Sequence, residues 1–331
     1  LNLKELFVKA IIVEEDFSLS WADAEMPVPG VEDILIKVHA TAINRADLMQ
    51  RRGFYPPPPG ASSVMGLECA GEVIEVGAAC TRYRVGDRVC ALLAGGGYAQ
   101  YATVHEGSAL PIPGDLNFEQ AAALPEVYAT AWLNLFIEAG LQPGEKVVLH
   151  AGASGVGTAG VQLCREFGAT SFVTVGSQEK LATCIDMGAS AGFVRHDGSF
   201  LEAAQSFAGE GGVDVVLDPV GAGYLKDNIA LLGLNGRLVL IGLMGGMQAE
   251  LDLAQLMIKR LRVIGSTLRA RPLSEKAVIM GELEQKVWPK IAEGKIVPVI
   301  EKVFDIEETA AAHDLISTDT TTGKVILRVN H

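Results

Sequence analysis

The stretch His150-Ala-Gly-Ala-Ser-Gly-Val-Gly-Thr-Ala-Gly160 decides how this chain is read. It carries Gly155-x-Gly157-x-x-Gly160 between a short apolar run, residues 146–150, and a helical pattern over 156–167 that stops at Gly168. Strand, glycine turn and helix, in that order, are the setting in which this spacing has physical meaning. One glycine permits the sharp turn, a second lets a pyrophosphate approach the backbone, and a third lets helix and sheet pack closely. The first-turn amides and the helix dipole then favour the anion. Gly152-Ala-Ser154-Gly-Val156 also runs close to the G-x-S-x-G turn of serine hydrolases, but Val156 stands where the last glycine is required. Ser154 therefore reads as a polar donor near phosphates or as a turn residue.

Working outward, residues 172–175 read as a second strand and 180–187 as a helix ending at Gly188. Residues 213–217 and 237–241 read as further buried strands. This alternation predicts an α/β unit, a doubly wound parallel sheet with helices on both faces. The end of the second strand sets the nucleotide. An acid there would hold the ribose 2′-hydroxyl of NAD, but Val175 is followed by Gly176-Ser-Gln-Glu-Lys180. Gly176 leaves room, Ser177 donates and Lys180 brings positive charge. Arg195, after Gly192-Phe-Val, stands where the next strand should end and would cover the adenine or the phosphate. A 2′-phosphate suits these groups, so the expected cofactor is NADPH rather than NADH. Glu179 opposes this only if it faces inward; at a helix start it faces solvent or caps with Ser177.

Ahead of the glycine turn, residues 34–38, 71–76 and 87–93 are short β-rich runs. They are punctuated at Pro27-Val-Pro-Gly30, Pro56 to Gly60 and Gly95-Gly-Gly97. Close spacing of short strands predicts a small barrel-like β unit. Helical periodicity covers 120–140, and 325–329 reads as a last strand returning to the first unit. The expected organisation is a β-rich domain over 1–125 and 268–331 and a nucleotide-binding domain over 126–267.

The chain has 331 residues, with 27 Lys and Arg against 40 Asp and Glu, a formal charge of −13. Most of such a surface repels a polyanion, so no nucleic-acid partner is expected. The five cysteines (Cys69, Cys80, Cys90, Cys164 and Cys184) include no C-x-x-C pair and read as small buried hydrophobes. No apolar run reaches the roughly 18 residues of a membrane span. Residues 1–15 lack the profile of a secretion signal, so the expected setting is cytoplasmic and reducing. None of the six histidines has metal-ligand spacing with a second ligand.

Five segments together resemble one family. They are Asn44-Arg-Ala-Asp-Leu-Met-Gln50, Tyr55-Pro-Pro-Pro-Pro-Gly60, Leu92-Leu-Ala-Gly-Gly-Gly97, His150 to Gly157 and Gly242-Leu-Met-Gly-Gly246. The chain resembles the zinc-independent quinone oxidoreductases of the medium-chain dehydrogenase/reductase superfamily, and among them the p53-inducible type. The resemblance implies a GroES-like, partly open β-barrel catalytic domain beside a Rossmann domain. It also implies hydride transfer from NADPH to a quinone, in a homodimer paired near residues 237–244 and 261–267. Where the zinc enzymes of the superfamily carry a cysteine and Gly-His-Glu, this chain has Asn44 and Gly66-Leu67-Glu68, so no metal is expected.

Tyr55, on the proline-stiffened loop, is the first candidate for a substrate-facing donor and stacking surface, or else packs its loop. Asn44 and Asp47 sit near the nicotinamide by resemblance, or else serve as turn and capping residues. Arg269 borders the site or forms a surface salt bridge. The resemblance implies cofactor contacts from Thr130, Gly155, Val156, Gly157, Ser177, Lys180, Arg195, Gly242, Leu243, Met244, Leu268 and Lys324. Two other activities compete with quinone reduction. One is reduction of an enone or enoyl thioester, which needs a proton donor and often a basic groove. Near Tyr55 the sequence offers only Arg51 and Arg52 for such a groove. The other is a cofactor-binding accessory with little turnover.

Overall fold

The structure, a computed structural model, describes residues 7–331, so residues 1–6 of the stretch read against a secretion signal lie outside the described residues. The strands in chain order begin with β1 (Phe7–Val13), β2 (Leu19–Glu25), β3 (Asp33–Ala42), β4 (Glu68–Val76), β5 (Arg88–Leu92), β6 (Tyr101–His105) and β7 (Ala109–Pro111). A second group follows: β8 (Lys146–Leu149), β9 (Thr170–Val175), β10 (Ala191–Val194), β11 (Val213–Asp218), β12 (Leu232–Leu240) and β13 (Arg262–Gly265). Two more, β14 (Ile300–Asp305) and β15 (Lys324–Arg328), close the chain.

The chain divides into two compact units, one running to Ala129 and resuming at Arg269–His331, the other Thr130–Leu268. Sequence texture placed the first boundary at 125/126. The structure puts it inside the helix Pro125–Trp132, whose first turn is held to the first unit by the Glu126 N–H on Glu68 Oε2 at 2.9 Å. Leu268 goes with the second unit, one residue later than the expected 267/268 boundary.

In the first unit the sheet order is β14-β15-β3-β4-β5-β7, with β6 also pairing β3, and β1 and β2 form a separate hairpin. The run 34–38 is the centre of a longer strand because inward side chains alternate along it: Ile34, Ile36 and Val38 are fully buried. The returning strand sits where expected, β15 pairing antiparallel with β3 through Ile326 opposite Ala42 and Leu327 opposite Thr41. Gly71 marks a close approach: a Cβ there would lie 2.0 Å from the Lys37 carbonyl oxygen. The helical stretch 120–140 is three pieces rather than one: Phe118–Ala122, Pro125–Trp132 and a π-helical turn Leu133–Glu138. Pro125 lacks an N–H and cannot continue the first piece, so it begins the second.

The second unit is a six-stranded parallel sheet in the order β10-β9-β8-β11-β12-β13. Its central strands are buried on both faces, which is why Val147, Val148 and Leu149 form an unbroken apolar run. Chain direction across the sheet reverses at β8, so the carboxyl end of β8 is where a ligand crevice is expected.

A buried polar chain fixes that end. His150 Nε2 lies 2.8 Å from Asn228 Oδ1, and His150 Nδ1 lies 3.0 Å from Thr174 Oγ1. Asn228 Nδ2 donates to Asp218 Oδ2 at 3.0 Å, so its Oδ1 accepts from His150 and the histidine carries its proton on Nε2. Asp218 Oδ1 in turn accepts from the N–H groups of Val220 and Gly221. Burial pushes the His150 pKa down to about 4, with the Asn228 hydrogen bond opposing. The native state therefore keeps His150 neutral while the unfolded chain protonates below its ordinary 6.5. The stabilising contribution is complete above pH 6.5 and is lost as pH falls towards 4. Urea unfolding of the protein and of His150→Asn across this range should show the stability gap narrowing by about 1.4 kcal/mol per pH unit below 6.5. A constant gap would mean that His150 is not held neutral.

Candidate functional site

The glycine turn is built as the sequence requires. Ser154 is the N-cap of the helix Gly155–Glu166, and its hydroxyl accepts from the Gly157 N–H at 3.1 Å. This resolves its role: it is a capping residue. The amides of Gly155 and Val156 are left as a helix start leaves them, open to an anion. Gly157 admits no side chain, since a Cβ would sit 2.4 Å from the Ala151 carbonyl oxygen and 2.5 Å from that of Gly152.

At the end of β9, Ser177 caps the helix Gln178–Asp186, its hydroxyl accepting from the Lys180 N–H at 3.3 Å. Glu179 is exposed and is not the capping partner. Arg195 follows β10 directly, and a Cβ on Gly176 would lie 3.9 Å from its Nη2. Gly176, Ser177 and Arg195 thus gather at the carboxyl ends of two adjacent strands, with Lys180 half-buried on the first turn of the helix. Gly242, Leu243 and Met244 follow β12 in a loop laced to 219–222: Met244 N–H reaches Pro219 O at 3.2 Å and Gly245 N–H reaches Val220 O at 2.7 Å. The side chains of Leu243 and Met244 are about half exposed. This loop, the glycine turn and the β9 end are the strand ends at which a dinucleotide fits. Thr130 opens this unit, its carbonyl bound by Asn134 Nδ2 at 2.7 Å, and Leu268 closes it with its side chain buried.

The first unit holds a second constellation. Asn44 is the N-cap of the helix Arg45–Arg51 in a capping box with Asp47. Asn44 Nδ2 donates to Glu68 Oε1 at 2.9 Å, and Lys324 Nζ donates to Asn44 Oδ1 at 2.7 Å. Lys324 Nζ also meets Glu68 Oε1 at 2.7 Å and Ile43 O at 2.8 Å. Three acceptors use the three ammonium hydrogens, so its charge meets Glu68 and it orients the Asn44 amide. Glu68 is fully buried, with Oε1 on Asn44 and Lys324 and Oε2 on the Glu126 amide. Its lone pairs have protein partners, and its neighbours Asn44 and Leu67 are not zinc ligands, so the residues do not fit a catalytic zinc.

Asp47 takes the capping reading: it is fully buried, its Oδ2 accepting from Asn44 N–H at 2.8 Å and from Tyr98 OH at 3.0 Å. Burial pushes its pKa up to about 6, opposed by these hydrogen bonds and by Lys324. Arg269 is no surface salt bridge: it is 4% exposed and binds Ala94 O at 2.8 Å, Tyr55 O at 3.1 Å and Gln50 Oε1 at 2.7 Å. Its guanidinium lies 5.2 Å from the centroid of the half-buried Tyr55 ring. Tyr55 is thereby held in place, and among the described residues its hydroxyl has no hydrogen-bond partner. Burial, then the charge of Glu126, keeps the phenol above its ordinary pKa, so it remains a donor.

Sequence reasoning did not find Glu126 or Tyr98. Glu126 lies near Glu68, Lys324, Asp47 and Lys276, and burial followed by the Glu68 charge pushes its pKa up to about 8. Pro125-Glu126 at a helix start was visible, but nothing local marks a carboxyl that stays protonated.

Comparison with known proteins agrees with this geometry. Residues 30–114 match the alcohol dehydrogenase GroES-like domain, and residues 155–282 match the family described as zinc-binding dehydrogenase. The quinone oxidoreductase of Mus musculus is 33% identical over 310 residues, and that of Rattus norvegicus 32% over 308, each alignment covering 92% of both chains. Among solved structures, Escherichia coli quinone oxidoreductase complexed with NADPH superposes with a TM-score of 0.84 at 25% identity, covering 97% of this chain and 99% of that one. The CurK enoyl reductase superposes with a TM-score of 0.83 at 27% identity, covering 98% and 99%. Glycine turn, GroES-like sheet and a zinc position filled by Asn44, Leu67 and a lysine-bound Glu68 therefore meet in one chain, which belongs to the zinc-independent quinone oxidoreductase family of the medium-chain dehydrogenases/reductases and is a nicotinamide-dependent oxidoreductase.

Proposed function

We propose that this chain is an NADPH-dependent quinone reductase that works without zinc. The observation that carries the cofactor assignment is the β9 end. No carboxylate follows Val175, and Gly176, Ser177, Lys180 and Arg195 offer space, a hydroxyl and two cations to a 2′-phosphate. Gly155, Val156 and Gly157 would take the diphosphate, with Thr130, Gly242, Leu243, Met244 and Leu268 along the rest of the dinucleotide. The reduced nicotinamide supplies the hydride.

The protein's own part is orientation and charge. A quinone is already electrophilic and needs no metal to polarise it; it needs a fixed pose and a donor at the developing oxyanion. Tyr55, clamped by Arg269, supplies that donor. Asn44, held at both ends of its amide by Lys324 and Glu68, supplies a wall that does not reorient. Glu126 keeps a proton at neutral pH because burial and Glu68 hold its pKa up to about 8.

That proton also favours a second reading, reduction of an enone or enoyl thioester, in which a carbon must be protonated; the likeness to the CurK enoyl reductase supports it. For the homodimer, the support is that β13 is an open sheet edge with Val263 exposed, and pairing two such edges would satisfy both.

NADPH oxidation with 1,2- and 1,4-quinones, with enones and with no acceptor tests the activity. Quinones should be the fastest acceptors; faster enone reduction would overturn the assignment, and no turnover with any acceptor would leave an accessory protein. Lys180→Ala should raise the KM for NADPH by about tenfold and change that for NADH by less than about twofold. Equal losses would remove the 2′-phosphate assignment. Tyr55→Phe should lower kcat/KM for quinone by about tenfold, and an unchanged value would leave Tyr55 a shape role alone.

A further inference from the structure

The β-rich unit contains a cavity of about 240 Å³ that none of Asn44, Asp47, Tyr55 or Lys324 lines. Its walls are largely apolar, with Val8, Ala10, Leu92, Leu93, Ala102 and Val104 among them. Among the polar side chains on its wall, Ser108 and Lys276 are the buried ones. They come from two elements that pack on each other, the helix Leu273–Lys286 and the turn Glu106–Ser108. That packing is so tight that a Cβ on Gly107 would lie 3.0 Å from Ala277 Cβ.

Both side chains are short of partners. Ser108 is 2% exposed and, among the described residues, its hydroxyl has no hydrogen-bond partner. Lys276 is 4% exposed; its Nζ donates to the Arg269 carbonyl at 2.6 Å, and among the described residues it forms no ion pair. A buried ammonium without a counter-ion and a buried hydroxyl without a partner are both costly, and proteins retain them where something else completes them. The charges around Lys276 do not complete it. Glu126, which burial pushes towards its neutral form, makes no ion pair with it among the described residues, and Arg269 adds positive charge. Of the acids lining the cavity, Glu25 is exposed and Asp33 is committed to the Gly30 amide at 2.9 Å.

We propose that this cavity is a binding site for a small organic carboxylate, its carboxylate on the Lys276 ammonium and Ser108 hydroxyl and its apolar body against Val8, Leu92 and Val104. The cavity is lined by residues of the β-rich unit and does not depend on which acceptor is reduced. Lys276 also supports the backbone of Arg269, and Arg269 holds Tyr55, so occupancy reaches the substrate-facing loop through two contacts.

Benzoate, with benzamide as its neutral isostere, is the probe, titrated calorimetrically into the full chain with and without saturating NADPH. Benzoate should bind saturably at one site, about tenfold or more tightly than benzamide, and NADPH should not displace it. Lys276→Met should weaken benzoate by about tenfold or more and leave benzamide unchanged, and Ser108→Ala, a change too small to threaten folding, should weaken benzoate by about threefold. Absence of saturable benzoate binding, binding unchanged in Ser108→Ala, or displacement by NADPH would overturn the proposal.

Discussion

The first unit is organised around one buried ion pair. Lys324 on β15, 4% exposed, lies 2.7 Å from Glu68 on β4 and 2.7 Å from the Asn44 amide oxygen at the end of β3. Removing two charges from water costs several kcal/mol each and is repaid only when every proton and lone pair is met. Here three acceptors surround the ammonium, and both carboxylate oxygens are bonded, the second by the Glu126 amide. The consequence is positional. Asn44 caps the helix Arg45–Arg51 with its backbone and presents an amide whose orientation is set from both ends. The same set explains how a dehydrogenase framework dispenses with zinc here. The carboxylate of the old Gly-His-Glu position is bonded to a lysine, and the other two ligand positions carry an amide and a leucine.

The second unit solves a different problem, that of holding backbone amides open to an anion while keeping everything behind them dry. The His150, Thr174, Asn228 and Asp218 chain runs beneath the carboxyl ends of β8, β9 and β11, and each donor there has an acceptor. His150 stays neutral at neutral pH because burial disfavours its charge. Above it, Gly157 and the Ser154 cap leave the helix start free of side chains. Rigidity below and openness above are both needed if a diphosphate is to meet preformed donors.

Arg269 shows how a residue that looks superficial becomes structural. Its guanidinium makes hydrogen bonds to neutral oxygens from three separate segments, around Gln50, Tyr55 and Ala94. A planar fork with five donors suits such a junction better than an ammonium would. The proline run after Tyr55 stiffens the loop, and Arg269 fixes where it sits. Tyr55 therefore reaches its candidate role through a partner 214 residues away.

Much of this protein was legible one segment at a time. Strand, glycine turn and helix over 146–167, the missing acid after Val175, the β-rich first third and the returning strand near 325 all lie where local pattern placed them. Each is decided within a few residues, by backbone stereochemistry, side-chain periodicity and helix-capping geometry. The capping box of Asn44 and Asp47 belongs to the same class, and it was correctly one of two readings. The partners of Lys324 and Arg269 were not legible because nothing near them differs from a surface cation. Lys324 meets Asn44 across 280 positions and Arg269 meets Gln50 across 219. Whether a charge ends in water, on a cofactor or on a buried partner depends on the desolvation that packing imposes and on which strands the fold sets side by side. Neither leaves a periodic trace along the chain, so local order was written in the residues while the partners of the buried charges existed only once the sheets had closed.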